Sequence, residues 1–260
     1  GGEATEGLID EAIRHSISKM SYYHFVATEE YRNRVIQLGE QPNNVFNVGA
    51  LGIESIKNTN FLSKKDLEKD LNFKFAKRNF IVTFHPITLE PEKSKIYMEN
   101  LLDALETQKD TNIIFTYPNA DSEGRELIKL IEKFCKKNRN AKSFSSLGQK
   151  RYFSCVKYCD AVIGNSSSGI IEVPSFGKGT INIGSRQKGR LKSKSIIDCA
   201  PYKENICEAI KILFSDSFQK KLPKFKNLYG EGRSSTIMFE IIKSLNFEKN
   251  NLMKKFYDLN

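Results

Sequence analysis

The sequence predicts an α/β protein built on a doubly wound parallel sheet. Two features carry that expectation. Short apolar runs without alternation, such as Phe80-Ile81-Val82-Thr83-Phe84 and Ala161-Val162-Ile163, are what strands covered on both faces look like. Between such runs lie stretches with apolar residues at helical spacing, and the rhythm of strand and helix persists along the chain. With 260 residues and 39% hydrophobic content, there is material for one large core or two ordinary ones.

Taken in order, Leu8 to Ser18 keeps Ile9, Ala12, Ile13 and Ile17 at helical spacing, and His24-Phe25-Val26-Ala27-Thr28 gives a short strand ending in a polar turn. Thr28 before Glu29-Glu30-Tyr31 reads as an N-cap followed by first-turn acids, and Gly39 and Pro42 close that helix. Val45 to Val48 is a second strand. From Ile53 to Phe75 the chain turns polar, with a capped helix at Ser63 to Leu71, and the boundary between two lobes is expected near Ile53. Beyond it, strands at 80–84, 112–116, 161–163 and 180–183 alternate with helices at 92–105, 122–137, 151–158, 170–176, 206–214 and from Ser234 onward.

Composition narrows the function. No stretch approaches the roughly eighteen consecutive apolar residues of a membrane span, and no basic flank followed by an apolar run marks a signal peptide. The five cysteines form no CxxC pair and no zinc-like spacing with histidine, so they read as reduced, packed thiols of a cytoplasmic protein without a metal. The formal charge of +10 suits an anionic ligand or surface, and equally a solvated Lys-rich exterior. The basic residues are dispersed and no nucleic-acid motif is present, so neither nucleic acid nor membrane is expected as a partner. A chain opening on Gly1-Gly2-Glu3 without Met is expected to have had sequence upstream.

The strongest local signal is Val162-Ile163-Gly164-Asn165-Ser166-Ser167-Ser168-Gly169-Ile170-Ile171-Glu172. A buried strand entering a turn of small hydroxyl residues and then a helix directs N–H groups and hydroxyls at one point, which suits a diphosphate; a plain Ser-capped helix is the other reading. Neither a Walker pattern nor GxGxxG occurs, so no ATP or nicotinamide cofactor is indicated. Glu172 is placed to accept ribose hydroxyls, or else to complement the helix dipole. Asn182-Ile183-Gly184-Ser185-Arg186-Gln187-Lys188-Gly189-Arg190 follows the next strand, and Arg186 and Arg190 can offer forked donors to phosphate; a solvated basic loop is the other reading. His85, fixed by Pro86 at a strand carboxyl end, stands where α/β enzymes place working groups, although a lone histidine is commonly structural. Glu3, Glu6, Asp10, Arg14 and His15 place carboxylates beside a cation, with Asp10 and Arg14 on one helix face, which suits proton abstraction, although an exposed surface ion pair is the default explanation.

Together these segments resemble the UDP-N-acetylglucosamine 2-epimerase family over essentially the whole chain. The resemblance rests on Gly1-Gly2-Glu3, Ile9-Asp10-Glu11-Ala12-Ile13-Arg14-His15, Phe84-His85-Pro86, Gly164-Asn165-Ser166-Ser167-Ser168-Gly169 and Gly184-Ser185-Arg186-Gln187, in the family's order. It implies two Rossmann-like lobes of the glycosyltransferase-B type, the first only partly present, with a nucleotide-sugar in the cleft between them. The implied division is 1–53 for the remainder of the N-terminal lobe, 54–245 for the nucleotide-binding lobe, and 246–260 for a helix, near Phe247 to Leu259, crossing back to the first lobe. One family carboxylate falls in the part that precedes Gly1.

Non-hydrolysing members carry two arginines after the histidine; Pro86-Ile87-Thr88 stands here instead, which is similar to the hydrolysing branch that feeds sialic acid and related sugars. The resemblance therefore implies release of UDP and N-acetylmannosamine from UDP-N-acetylglucosamine, without cofactor, in a homo-oligomer. Glu3 and Asp10 are the implied acid/base groups, with Arg14 tuning them and His85 near the glycosidic oxygen. Ser166, Ser167, Arg186 and Gly184 would hold the diphosphate, Glu172 the ribose, and Tyr152 would stack on the base or serve as a core residue. A glycosyltransferase of the same fold, an epimerase for a GDP-linked or diacetamido sugar, and a non-catalytic sugar-nucleotide binding module remain alternatives.

Overall fold

The computed structural model describes residues 1–6, 10–87, 91–118, 122–245 and 253–259. Its first part runs α1 (Asp10–Met20), β1 (His24–Val26), α2 (Glu29–Gln37), β2 (Val45–Asn47), α3 (Leu51–Lys57) and α4 (Lys64–Leu71). There follow β3 (Arg78–Thr83), α5 (Pro91–Glu106), β4 (Thr111–Thr116), α6 (Ser122–Lys137), β5 (Ala141–Phe144), α7 (Gly148–Tyr158), β6 (Ala161–Gly164) and α8 (Ser168–Ile171). The remainder is β7 (Gly179–Ile183), β8 (Ile196–Cys199), α9 (Lys203–Leu213), α10 (Asp216–Gln219) and α11 (Ser234–Ser244).

Two parallel sheets organise these elements. Strands β1 and β2 pair with His24 opposite Val45, and the larger sheet has the order β5-β4-β3-β6-β7-β8 with every pair parallel. Strand order reverses between β3 and β6, which are neighbours, so the crevice where doubly wound sheets bind ligands opens at their carboxyl ends.

The apolar strands earn their burial by alternation across the sheet. Phe80 and Val82 of β3 face Met98, Leu101 and Leu105 of α5 and Ile206 and Ile210 of α9. Ile81, between them, joins Ile114 and Val162 under Leu67 and Leu71 of α4 and Val156 of α7. A third cluster joins the small sheet to the large one, packing Val26, Tyr31, Val35, Val45 and Ile53 against Phe153, Ile170 and Tyr229. The expected caps are present: Thr28 Oγ1 accepts from Tyr31 N at 3.2 Å, and Ser63 Oγ accepts from Asp66 N at 3.1 Å. Each is worth about 1 kcal/mol of helix stability relative to alanine.

Ile53, near which the lobe division is expected, lies in α3, where it and Ile56 are buried. The helix expected over 170–176 is only the single turn α8 followed by a 3₁₀ turn at Val173–Phe176, because Pro174 has no N–H with which to continue an α-helix. The crossing helix expected over 246–260 is not found in 253–259, which have no regular secondary structure; residues 246–252 lie outside the described part. Backbone groups of this tail bond elsewhere: Tyr257 N donates to Gly39 O at 2.9 Å and Lys255 O accepts from Gln41 Nε2 at 3.2 Å. Gly39, at φ +86°, leaves the place of a Cβ to the Phe256 ring.

Candidate active site

The site is assembled around the β3 and β6 carboxyl ends by one buried amide. Asn165, fully buried, accepts through Oδ1 from His85 N at 2.7 Å and donates through Nδ2 to His85 O at 2.8 Å. Its own carbonyl accepts from Gln187 Nε2 at 2.7 Å and Arg186 Nη1 at 3.2 Å. One residue thus ties the β3 loop with His85 to the β6 turn through its side chain and to the β7 loop through its main-chain carbonyl. The approach is possible because Gly164, at φ +136°, sets its Cα against the Thr83 carbonyl, where any Cβ would collide. Gly184, at φ +75°, opens the β7 loop beside Ile87.

The serine turn is held from within: Gly169 N donates to Ser166 O, and Ile170 N and Ile171 N donate to Ser167 O. Ser167 is the N-cap of α8 without a side-chain cap bond. A single turn has little macrodipole, so the helix-end attraction expected for an anion gives way to the local donors and arginines. Tyr152 donates its hydroxyl to Ser168 Oγ at 2.7 Å, and burial pushes its pKa up. Ser166, Tyr152 and Glu172 line a cavity of about 380 Å³ with Thr83, Thr116 and the 145–149 loop. Burial is the main cause raising the Glu172 carboxyl above the usual carboxylate range, opposed by the Ser168 hydroxyl and the Arg190 charge, and Glu172 Oε2 is buried with no hydrogen-bond partner.

Residues 1–6 come in from the other side. Glu3 accepts from Arg14 Nη1 at 3.5 Å and Arg190 Nη2 at 3.2 Å, while Arg14 also pairs with Asp10 at 3.3 Å. Glu6 N donates to Lys188 O at 3.2 Å, and Lys188 Nζ pairs with the Glu6 carboxylate at 2.8 Å. The amino-terminal acids and the arginine loop therefore meet. Arg186 has its pKa lowered, first by burial and then by the Arg190 charge, with Asp10 opposing. Arg186 Nε and Arg190 Nε and Nη1 are buried donors without a partner, which a cation tolerates at about 1–3 kcal/mol or more each unless an acceptor arrives. Converging cationic donors of this kind are an anion site.

Four of the expected residues line two different cavities. Ser166, Tyr152 and Glu172 share the 380 Å³ cavity, whereas Glu3 lines a neighbouring one of about 260 Å³ with Tyr31, Gly49 and Tyr229. A larger cavity of about 560 Å³ at the β1 and β2 carboxyl ends contains none of the expected site residues. Sequence reasoning quoted Asn165 and Gln187 within motifs without a role for either, and missed Thr116 and the 145–149 loop altogether.

Comparison with known proteins shows the family and the fold. Residues 1–243 match the family model described as UDP-N-acetylglucosamine 2-epimerase. The chain belongs to that family. Among its relatives, the GDP/UDP-N,N'-diacetylbacillosamine 2-epimerase (hydrolyzing) of Campylobacter jejuni is 50% identical over 199 residues, 76% of this chain and 52% of that protein. Polysialic acid biosynthesis protein P7 of Escherichia coli is 40% identical over 260 residues, 100% of this chain and 66% of that protein. The chain thus spans between about half and two thirds of these relatives' length. Among solved structures of the fold, the UDP-GlcNAc 2-epimerase of Neisseria meningitidis bound to UDP-GlcNAc aligns with a TM-score of 0.78 at 16% identity, over 94% of this chain and 68% of that one. The glycosyltransferase-B type of fold is shared with that structure, as it is with an S. aureus MnaA–UDP co-structure at a TM-score of 0.73 and 17% identity, over 97% of this chain and 66% of that one. Among the described residues no helix is long and apolar enough to cross a membrane, and no three His, Cys, Asp or Glu side chains are grouped to hold a metal ion.

Proposed function

We propose that this family member is a hydrolysing 2-epimerase that takes a nucleoside diphosphate 2-acetamido sugar and releases the nucleotide and the 2-epimeric free sugar. The observation carrying the reading is the Glu3–Arg190 ion pair, which puts a carboxylate of the amino-terminal part against the loop that holds orphaned arginine donors. Glu3 or Asp10 takes the proton from C2 of the sugar. The C2–H electron pair becomes the C1–C2 double bond, and the C1–O bond breaks with its electrons leaving on the nucleotide. Water then adds across the double bond, hydroxyl to C1 and proton to C2 from the opposite face, giving the epimer.

The remaining roles belong to the same proposal. Ser166, Ser167, Gly184 and Arg186 hold the diphosphate and oppose the charge growing on the leaving group. His85 lies at the glycosidic oxygen, its backbone fixed by Asn165. Glu172 accepts the ribose hydroxyls, and Tyr152 closes the base end of the cavity while holding Ser168. The amino-terminal lobe comprises 1–53, the nucleotide lobe 54–245 and the tail 246–260, whose described residues 253–259 bond to Gly39 and Gln41 of the first lobe; the protein acts in the cytoplasm as a homo-oligomer.

The substrate expected from sequence is UDP-N-acetylglucosamine, yielding N-acetylmannosamine for sialic acid-type synthesis. The 50% identity to a diacetylbacillosamine epimerase favours a second reading in which the sugar is a 2,4-diacetamido hexose on UDP or GDP. Proton NMR in deuterated water with each nucleotide-sugar decides between them. The proposal expects nucleotide release together with deuterium at C2, fastest for the true substrate. Binding without turnover of any of them supports a non-catalytic module, and turnover only with an added acceptor supports a glycosyltransferase.

A further inference from the structure

Arg190 stands apart from its neighbour Arg186. Arg186 is tied to the Asn165 carbonyl at the serine turn, the phosphate end of the crevice. Arg190 reaches instead to Glu3, and its charge is felt by Glu172, Arg186, Tyr31 and Tyr229. The Tyr31 hydroxyl bonds Tyr229 at 2.9 Å and the Tyr229 hydroxyl donates to Leu191 O at 2.8 Å, so neither hydroxyl is spent on the guanidinium. The Arg190 side chain is 7% exposed, Nη2 is used by Glu3, and Nε and Nη1 are buried without a partner.

A guanidinium so enclosed, with two donors unspent, is built to receive an uncharged or anionic oxygen. Its location selects which one. If Glu3 removes the C2 proton, the substituent on C2 lies within a guanidinium's reach of that proton, and its amide carbonyl is the acceptor that sets a 2-acetamido sugar apart from glucose. We infer that Arg190 is the specificity residue for the 2-acetamido group: Nη2 orients Glu3 while the remaining donors bind the acetamido carbonyl. This rests on the epimerase reading above, and it applies equally to a monoacetamido and a 2,4-diacetamido sugar.

Calorimetry with UDP, UDP-N-acetylglucosamine and UDP-glucose tests it on the wild type, Arg190→Met, Arg190→Lys and Arg186→Met. Wild type is expected to prefer the acetamido sugar over glucose. Arg190→Met is expected to lose that preference by at least about tenfold while UDP affinity stays within about twofold, and Arg190→Lys to recover part of the preference. Arg186→Met is expected to weaken all three ligands alike. Equal weakening of UDP and both sugars by Arg190→Met makes Arg190 a phosphate ligand and overturns the inference, as does an unchanged preference or a wild type with none. Circular dichroism of Arg190→Lys separates misfolding from lost contacts. If the wild type binds neither UDP nor, in a separate titration, GDP, the epimerase reading itself fails, an outcome distinct from loss of sugar discrimination alone.

Discussion

Two carboxylates, the buried Glu40 and the half-buried Glu172, have opposite surroundings. Glu40, 2% exposed, is met by Lys19 at 2.7 Å, Lys254 at 2.7 Å and His24 at 2.9 Å. Burial pushes its carboxyl up, but the three hydrogen bonds outweigh that and hold it below the ordinary value. Glu172 has the Ser168 hydroxyl and the Arg190 charge, an orphaned Oε2, and a carboxyl that burial leaves raised. A carboxylate that holds a structure together is saturated with donors from other segments, here α1, β1 and the tail. One that awaits a ligand keeps an acceptor unspent.

The contrast predicts opposite pH slopes. His24 is lowered chiefly by burial, with Glu40 opposing, and Glu40 is lowered as well. For both, the unfolded chain takes up more protons as pH falls, so their stability is present above the unfolded values, about 6.5 and 4.3, and lost below them. For Glu172 the folded chain holds the proton to higher pH, so its contribution is present at low pH and lost as pH rises through the raised folded value.

The largest expected effect comes from breaking the saturated group. Glu40→Ala strands buried His24 and frees Lys254, which also donates to the Lys19 and Ser21 carbonyls. Urea unfolding is expected to show a loss of about 3 kcal/mol, the lower end for removing one partner of a buried charge cluster, because Lys19 remains partly exposed. A loss below about 1 kcal/mol means that solvent satisfies these cations and the comparison collapses. Asn165→Ala comes next. It is a saturated group inside the site, so it is expected to resemble Glu40 in cost and Glu172 in consequence. Loss of its two bonds to the His85 backbone is expected to cost about 2 kcal/mol on unfolding and to lower kcat more than it raises KM. An unchanged kcat shows that His85 needs no fixing.

The sequence made the interior of the fold legible and its margins much less so. The central strands β3, β4, β6 and β7 announced themselves as apolar runs. Both strands that escaped notice, Ala141–Phe144 and Ile196–Cys199, are the two edges of the large sheet. An edge strand is covered less completely, so Lys142 and Ser143 or Asp198 can interrupt it without cost. Helix α3 was hidden because its buried face is only Ile53 and Ile56. At the site, loops with a local signature could be read, from the serine turn to the arginine loop. What could not be read were pairings set by the fold: Asn165 with His85, 80 residues apart, and Glu3 with Arg190, 187 residues apart. Short-range pattern carries no information about such contacts.

The smallest expected change in stability is the one that sharpens the comparison most. Glu172→Gln keeps the shape and removes a charge that burial disfavours, so unfolding at neutral pH is expected to shift by no more than about 1 kcal/mol, toward greater stability. The decline in stability that Glu172 contributes as pH rises should vanish with it, while the acid-side loss due to Glu40 and His24 persists. UDP affinity is nevertheless expected to fall about tenfold or more, since in the proposed role a neutral amide replaces a charged acceptor for the ribose hydroxyls. A variant that loses stability and keeps UDP affinity would show that Glu172 is saturated after all, by Ser168 and its own backbone, and would move it to the side of Glu40.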